Sequence, residues 1–469
     1  MLALALAMLL PAAVESLQHE QGWRSFLVSA LITGGAGGAL MLGYRQPKRP
    51  ALTPRQSFIL VTAAWVVLCA FATLPLMLSA PHLSFTDAYF EAMSGLTTTG
   101  STVIVGLADQ PQGLLLWRAM LQWIGGIGII GLAVAVLPVL RVGGMQLFRM
   151  ESSDKSEKVR PRVSQVTWIL ISVYVTLTAI CAVALLFAGM SPFDAVCHAM
   201  ATLATCGFST QDASVGFYRS SAIEWIITLF MALGGCTFVL LARVAQGDIR
   251  AFVNDSQTRW YFAYLVGFVA LIALWQVAVN DRPVMEAIRS TAFNVVSIAT
   301  TTGFATEDYT LWGSLPVAAF MALYFIGGCT GSTSGSMKVF RFCVLGTVAL
   351  WQIRLLVHPH RMRPPTYNGK PVSEDVVRSV LSFFAFYIFC FAVLTIAVSA
   401  FDVDLVTSLS GVAQAMANTG PGLGPIIGPA GNFVPLHDGA KWLLSLAMLL
   451  GRLELLTVLV MLSPVFWRG

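Results

Sequence analysis

Four stretches with one shared pattern decide the fold: DAYFEAMSGLTTTGST (87–102), DAVCHAMATLATCGFST (194–210), STAFNVVSIATTTGFAT (290–306) and TSLSGVAQAMANTGPGLG (407–424). Each is an apolar run of about a dozen residues that ends in small polar residues closed by glycine. The closing glycines, Gly100, Gly207, Gly303 and Gly420, stand roughly 100 residues apart. Similar segments at a nearly constant spacing indicate an internal repeat. The sequence therefore predicts a fourfold repeat.

The composition around these stretches is that of a membrane protein. Of the 469 residues, 57% are hydrophobic and 11% are charged, whereas a soluble domain carries about 25% charged residues. Disordered, collagen-like and disulfide-stapled classes are excluded, because the apolar content is too high and the eight cysteines are scattered along apolar runs. The cysteines are predicted to be small core residues rather than metal ligands. The glycine-rich run 125–131 predicts close helix packing, not dinucleotide binding.

Ten apolar runs are long enough to cross about 30 Å of hydrocarbon. A cleaved signal peptide is the alternative explanation of the first run, and the missing basic segment before it argues against that. The predicted fold class is an all-α polytopic membrane protein with an N-terminal helix pair in 1–50 and four pore repeats in 51–148, 163–250, 256–352 and 374–469. The ten runs lie at about 1–16, 25–44, 57–79, 114–140, 167–189, 221–243, 260–279, 313–346, 376–400 and 440–466.

The basic residues predict the orientation in the bilayer. Most of the 28 Lys and Arg residues fall between alternate spans or at the C-terminus, and such segments are cytoplasmic by the positive-inside rule. Both termini are then cytoplasmic, and Arg452 remains as the basic residue inside an apolar span. The longest polar loops, 149–166 and 354–375, are too short to be catalytic domains, so we expect no enzyme. No nucleic-acid partner is expected either.

The four quoted stretches are too short to cross a bilayer. Ser84 and Ser191 with Pro192, and Asp404, are helix-start residues, so each stretch is predicted to enter from outside as a short helix and return as extended chain. Irregular backbone at membrane depth must be buried in protein or face water. Four such re-entrant loops around one axis can direct backbone carbonyls and helix C-termini at a permeating cation. The pattern predicts a cation pore.

A second irregularity interrupts the predicted span 313–346, where ten small residues occupy 327–336. Such a segment has to leave the helical conformation where protein or water surrounds it. A mobile gate is our interpretation, and a packing kink is the alternative. Inserting an arginine such as Arg452 at mid-membrane costs a free energy of about 2.5–3.5 kcal/mol on insertion scales. We therefore expect it to face the pore or to pair with an acid.

These motifs resemble the Trk, Ktr and HKT superfamily of potassium transporters, and most closely its bacterial TrkH branch. The resemblance runs from end to end. It includes SGLTTTGST, LQWIGGIGIIGLAVAVLPVLRVGGMQLFR, FAGMSPFDAVCHAMATLATCGFST, SIATTTGFAT, FIGGCTGSTSGSMKVFR, NTGPGLG and LLGRLELLTVLVMLSPVFW.

The resemblance implies ten transmembrane helices with four re-entrant pore loops in a pseudo-fourfold, potassium-channel-like arrangement. It implies K⁺ as the transported ion, and a carbonyl-lined filter made by Thr98, Thr99, Gly100, Thr205, Cys206, Gly207, Thr301, Thr302, Gly303, Asn418, Thr419 and Gly420. An intramembrane gate is implied at Gly327, Gly328, Gly331, Ser332 and Gly335, with Arg452 narrowing the pore below the filter.

The same resemblance implies the setting in which the protein works. It implies a homodimer in the bacterial inner membrane and a cytosolic TrkA-like regulatory ring, which alone binds nucleotide. Relatives with Ser at the first filter glycine tend to admit sodium, whereas this chain has Gly100. A secondary active cation carrier, coupled to protons or sodium, remains the alternative. Parallel rather than inverted repeats argue against it, and single-channel current steps would distinguish the two.

Overall fold

A computed structural model describes residues 1–18, 22–44, 53–135, 163–358 and 364–468, and most of these are helical. In chain order the helices are α1 (Leu2–Ala7), α2 (Leu9–Leu17), α3 (Trp23–Gly43), α4 (Pro54–Leu78), α5 (Phe85–Leu96), α6 (Gln112–Ala135), α7 (Val163–Phe187), α8 (Pro192–Leu203), α9 (Ser221–Gly234), α10 (Phe238–Ala245), α11 (Ile249–Asn254), α12 (Ser256–Val279), α13 (Val284–Ala299), α14 (Ser314–Ile326), α15 (Val339–Val357), α16 (Glu374–Ser399), α17 (Leu405–Ala417), α18 (Asp438–Arg452), α19 (Leu456–Leu462) and α20 (Pro464–Arg468).

The described residues confirm a helical protein with many membrane spans. Seven of their helices are long and apolar enough to cross a bilayer, and the number rises to nine if each of two bent pairs is one span. A shorter apolar segment, Leu2–Leu17, stands where the first of the ten spans is predicted. Most of the loop 149–166, and residues 359–363 of the loop 354–375, lie outside the described residues.

Two predicted continuous spans, 221–243 and 440–466, are wrong in detail because each is broken into two helices, whereas the predicted interruption of the span 313–346 is confirmed. The span 221–243 consists of α9 and α10, which meet at 107°, and 440–466 consists of α18 and α19, which meet at 115°. The span 313–346 consists of α14 and the start of α15, separated by nonhelical residues 327–338. Glycines and buried polar groups occupy the breaks, and helix kinks commonly have such causes.

One small sheet corrects the all-α prediction. Strands β1 (Thr366–Tyr367) and β2 (Lys370–Pro371) pair antiparallel. The turn residues Asn368 and Gly369 both have positive φ, 48° and 74°. Asn-Gly is the preferred sequence of the type I′ hairpin turn, so the sequence carried a signal for this hairpin that hydropathy alone does not reveal.

The four repeats pack in a closed cycle. In repeats 1 to 4 the short helices are α5, α8, α13 and α17, and the helices that follow them begin with α6, α9, α14 and α18. Each short helix packs on this following helix of the repeat before it, and the first repeat closes the cycle by packing on the fourth. The pairs are α8 on α6, α13 on α9, α17 on α14, and α5 on α18. Repeats 1 and 4 share one hydrophobic core with the N-terminal helices, and repeats 2 and 3 share another. The cycle brings the C-terminal ends of all four short helices together.

Candidate functional site

The starts of three short helices are fixed by the predicted capping residues. Ser84 and Ser191 accept hydrogen bonds from Asp87 N and Asp194 N, each at 3.1 Å, and Asp404 accepts one from Thr407 N at 3.0 Å. Both serine hydroxyls also donate to the aspartate carboxylates. The third short helix, α13, has no side-chain cap. The expected starts of α5, α8 and α17 are confirmed.

The ends of the four short helices share one hydrogen-bond pattern, that of the Schellman motif. The amide two residues before the closing glycine donates to the carbonyl five before it, and the next amide donates to the carbonyl six before it. The bonds are Thr98 N to Gly95 O (3.0 Å) and Thr99 N to Ser94 O (2.7 Å), Thr205 N to Thr202 O (3.1 Å) and Cys206 N to Ala201 O (3.0 Å), Thr301 N to Ile298 O (3.0 Å) and Thr302 N to Ser297 O (2.7 Å), and Asn418 N to Ala415 O (3.2 Å) and Thr419 N to Gln414 O (3.0 Å).

This motif places a residue other than glycine in the left-handed region in every repeat. The φ values are 52° for Thr98, 49° for Thr205, 59° for Thr301 and 57° for Asn418. Asparagine tolerates that region, but for a β-branched residue such as threonine it is an outlier. Strain of this kind persists only where the surroundings enforce it, and it clusters at functional sites. Sequence reasoning missed it, because threonine carries no signal for a positive φ.

The closing glycines form a ring in chain order. A Cβ added to Gly100 would lie 2.9 Å from Gly207 N, one on Gly207 would lie 2.6 Å from Gly303 C, and one on Gly303 would lie 1.9 Å from Thr419 O. The ring closes because a Cβ on Gly420 would lie 2.9 Å from Thr99 O. No side chain fits at any of these positions without a shift of backbone. All four glycines also line one cavity.

Side chains tie repeats 1 and 4 together at this ring. Ser101 Oγ donates to Gly420 O at 2.9 Å, and Asn418 Nδ2 donates to Thr99 Oγ1 at 3.0 Å. The Asn418 amide also donates to Met448 O of α18. Asn418 replaces the threonine of the other repeats, and its longer side chain spans to the neighbouring turn. The predicted filter residues of these two repeats are therefore in direct contact.

Behind the ring lies a buried ion pair that the sequence analysis missed. Arg118 Nε is 2.8 Å from Glu91 Oε1, and both side chains are 1% exposed. Arg118 also donates to Ser209 O of repeat 2 at 3.1 Å, and Glu91 accepts from Val103 N at 2.9 Å. The pair therefore fixes the chain that follows the ring glycines in repeats 1 and 2.

This pair corrects the statement that Arg452 is the only basic residue inside a span. Arg118 lies within α6, and Lys441 and Arg341 are buried in α18 and α15. Each of these three has a carboxylate partner: Glu91 for Arg118, Asp87 for Lys441 and Glu454 for Arg341. Arg118 and Lys441 stand near the start of the predicted spans 114–140 and 440–466, and they were overlooked there in the sequence analysis.

The small-residue segment 327–336 is nonhelical, as predicted, and it contacts the ends of three short helices. Thr333 Oγ1 donates to Leu203 O at 3.0 Å, and Ser334 Oγ donates to Thr300 O at 2.7 Å. Gly335 N donates to Thr301 Oγ1 at 2.8 Å, and a Cβ on Gly335 would lie 2.0 Å from Ala417 O. The segment therefore lies directly beneath the ring.

The other predicted gate residues hold this segment in place. Gly327 O accepts from Tyr264 Oη at 2.6 Å, Gly328 O from Val339 N at 3.0 Å, and Gly331 O from Phe238 N at 3.1 Å. Ser332 Oγ donates to Cys329 O at 2.6 Å. Ser336 has a φ of 62°. These bonds anchor the segment locally.

Arg452 contacts the segment at Thr333. Its Nη1 donates to Thr333 O at 2.7 Å, and the residue is 3% exposed. Within the described residues, its Nε and Nη2 have no hydrogen-bond partner, and no carboxylate pairs with it. Arg452, Lys338 and Glu454 line a small cavity together with residues of the segment. The predicted ring and gate residues thus form two adjacent layers.

Two further predictions are confirmed by packing. A Cβ on Gly125 would lie 2.0 Å from Leu96 O, and one on Gly126 would lie 2.6 Å from Tyr174 Oη. The glycine run therefore serves close helix packing. All eight cysteines are free and buried, which agrees with their prediction as core residues.

The fold and this site define a helical membrane protein with a fourfold internal repeat whose backbone turns meet at one ring. Residues 29–467 match the family model "TrkH: Cation transport protein". The chain therefore belongs to the TrkH family.

Relatives align over nearly their whole length. The chain is 45% identical to the Trk system potassium uptake protein TrkI of Halomonas elongata, over 100% of this chain and 95% of that protein. It is 38% identical to the Trk system potassium uptake protein TrkH of Escherichia coli K12, over 98% and 96%. The crystal structure of the potassium transporter TrkH from Vibrio parahaemolyticus superposes with a TM-score of 0.91 at 36% identity, covering 100% and 97%.

Proposed function

We propose that this protein takes up potassium through the ring of four backbone turns. The main observation behind the proposal is that the four closing glycines form a closed ring, in which each turn contacts the next turn in chain order. Carbonyls held in such a ring can replace the hydration shell of a cation. The short helices direct their negative C-terminal ends toward the same place. The similarity to potassium uptake proteins supports K⁺ as the ion.

In this proposal the filter consists of the three residues that end each turn. The filter residues are Thr98, Thr99, Gly100, Thr205, Cys206, Gly207, Thr301, Thr302, Gly303, Asn418, Thr419 and Gly420. The four turns are re-entrant loops within a ten-span bundle, and the broken pairs α9 with α10 and α18 with α19 count as single spans. Both termini are cytoplasmic, and the membrane is the bacterial inner membrane.

The gate in this proposal is the segment 327–336 with Arg452. The segment lies beneath the ring and bonds to the ends of the short helices, so its displacement would open the path below the filter. Arg452 holds the segment through Thr333 O and places a positive charge beside a cation path of low dielectric. Both effects oppose conduction.

The regulatory partners of the proposal are a second copy of the chain and a cytosolic TrkA-like ring that binds nucleotide. The basic loops 149–166 and 354–375 are the proposed docking surface, where electrostatics would set the on-rate and salt sensitivity. Capture of the ring by protein with both loops charge-neutralised tests this assignment. Capture equal to that of wild type would remove the docking role.

The proposal is tested by rubidium uptake into liposomes that contain the purified protein, with Gly303→Val as the blocked variant. A Cβ at Gly303 would lie 1.9 Å from Thr419 O, so the variant should lose uptake. Gly346→Val is the matched control, because a Cβ there meets no atom within 4 Å. Single-channel steps would support a pore, and strictly coupled slow flux would support a carrier. Equal uptake by all three proteins would refute the proposed path.

A further inference from the structure

In three repeats the amide of the closing glycine is held by an oxygen of the short helix, which belongs to a side chain in repeats 1 and 4 and to the backbone in repeat 3. Each amide donates to the residue six positions earlier: Gly100 N to Ser94 Oγ (3.1 Å), Gly303 N to Ser297 O (3.3 Å) and Gly420 N to Gln414 Oε1 (3.2 Å). These acceptors lie on the short helices, outside the ring. The peptide before each of these glycines therefore has its N–H directed away from the ring, and its C=O is directed the opposite way.

Repeat 2 lacks this arrangement. Ala201 stands at the corresponding position and has no polar side chain, and its backbone oxygen accepts from Cys206 N rather than from Gly207 N in the described part of the chain. Among the described residues, Gly207 N donates no hydrogen bond. The φ of Gly207 also lies outside the positive region, whereas Gly100, Gly303 and Gly420 have 94°, 86° and 104°. Two backbone features therefore separate the second turn from its three counterparts.

The junctions of the ring show the same difference. At three junctions a Cβ added to one closing glycine would approach the carbonyl oxygen that precedes the next closing glycine. The distances are 2.6 Å from Gly207 to Thr302 O, 1.9 Å from Gly303 to Thr419 O and 2.9 Å from Gly420 to Thr99 O. At the fourth junction, a Cβ on Gly100 would meet Gly207 N at 2.9 Å instead. Repeat 2 therefore presents an amide nitrogen where the others present an oxygen.

A buried glutamine on α6 accounts for the missing oxygen. With its amide oriented to satisfy both of its polar atoms, Gln122 donates to Cys206 O at 3.0 Å and accepts from Phe208 N at 3.1 Å. Gln122 is fully buried, and α6 packs outside the ring against α5 and α8. In the described part of the chain, Thr99 O, Thr302 O and Thr419 O accept no such bond. Only the Cys206 carbonyl is drawn outward.

We propose that Gln122 holds the Cys206–Gly207 peptide turned relative to its three counterparts, so that this level of the filter offers a cation three carbonyls and one amide. This inference rests on the proposed function of the ring as a cation filter. An N–H at that level repels a cation, whereas a fourth carbonyl would attract it. Gln122 is thus a positioning residue that weakens one ion site and keeps a bound ion from being held too tightly for conduction.

The direct test is a high-resolution experimental structure of the wild-type protein in potassium. The expected map has Cys206 O within hydrogen-bonding distance of the Gln122 amide, which places the opposite, N–H side of the Cys206–Gly207 peptide toward the ring. A map in which Cys206 O faces the ring like Thr99 O, Thr302 O and Thr419 O would overturn the inference. This measurement does not depend on any variant folding.

The functional test is the double variant Gln122→Leu with Ala201→Ser, which removes the outer donor and supplies the acceptor for Gly207 N. The peptide should turn, and rubidium binding measured by calorimetry should tighten about tenfold, which corresponds to 1.4 kcal/mol. Gln276→Leu is the matched control, because Gln276 is a buried glutamine of α12 whose Oε1 accepts from Asn280. Its binding should equal that of wild type.

The outcomes separate this inference from the proposed function. If wild type carries rubidium and the double variant binds it no tighter than Gln276→Leu, the three-carbonyl site is wrong and the uptake function stands. If wild type carries no rubidium, the filter itself is wrong, and the inference about its ion site is overturned with it.

Discussion

Replacing Gly100 by serine perturbs one quarter of the ring, and the structure sets the size of the effect. A Cβ at Gly100 would lie 2.9 Å from Gly207 N, about 0.5 Å closer than ordinary van der Waals contact. The φ of 94° adds backbone strain, and residues in such regions cost about 1–3 kcal/mol. Relief of that strain requires movement of the first or the second turn, so the two turns should separate.

The expected result is a loss of potassium selectivity with conduction retained, because the other junctions remain intact. If about 1.4 kcal/mol of the strain appears as lost discrimination, the flux ratio of rubidium to sodium falls about tenfold. The assay is bi-ionic flux in liposomes at equal protein. A Cβ at Gly303 would lie 1.9 Å from Thr419 O, so Gly303→Ser should lose more than Gly100→Ser.

Gly106→Ser is the matched control for backbone strain alone. Gly106 is left-handed, with φ 67° and ψ 45°, and a Cβ there meets no atom within 4 Å. Its flux ratio should equal that of wild type. An unchanged ratio in Gly100→Ser would refute the reasoning. So would an equal loss in Gly106→Ser, because general strain would then explain the effect.

Three further predictions concern the surroundings of the ring. Arg452→Ala should raise potassium flux, because it removes both a positive charge and the bond to Thr333 O; liposome flux no higher than wild type would contradict the barrier role. Shortening 327–336 should give conduction without the cytosolic partner, and a folded variant that stays closed would make the segment a packing kink. Arg118→Met should destabilise the protein by about 3–5 kcal/mol, since it leaves a buried carboxylate unpaired. Thermal unfolding measures this loss of stability. The control is Arg243→Met, which breaks the exposed ion pair of Arg243 with Asp248 and should change the stability little. Equal melting of the two variants would mean that Arg118 does not stabilise the ring.

Local features of the fold were predictable from the sequence. The repeated glycines, the Ser84 and Ser191 caps and the small-residue segment 327–336 all depend on residues close together in the chain. Helix starts and breaks follow from such short patterns. The family resemblance added the predicted filter residues, but not their geometry.

The missing features depend on contacts between distant residues. Thr98 has no sequence signal for a positive φ, because threonine rarely adopts it and the packing of the ring enforces it. The pair of Arg118 and Glu91 joins two helices, and Glu91 stands in an apolar run where hydropathy assigns it no partner. The bent spans are also tertiary features, since the break at Glu454 forms where its carboxylate reaches Arg341 on α15.

Ion selectivity of the wild-type protein tests the central claim most directly. Bi-ionic flux in liposomes, with potassium or rubidium on one side and sodium on the other, compares the ions under one driving force. Because all four turns close in glycine and meet in one ring, we predict strong preference for potassium and rubidium over sodium. A wild-type protein that passes sodium as readily as potassium would contradict the assignment of this ring as a potassium filter.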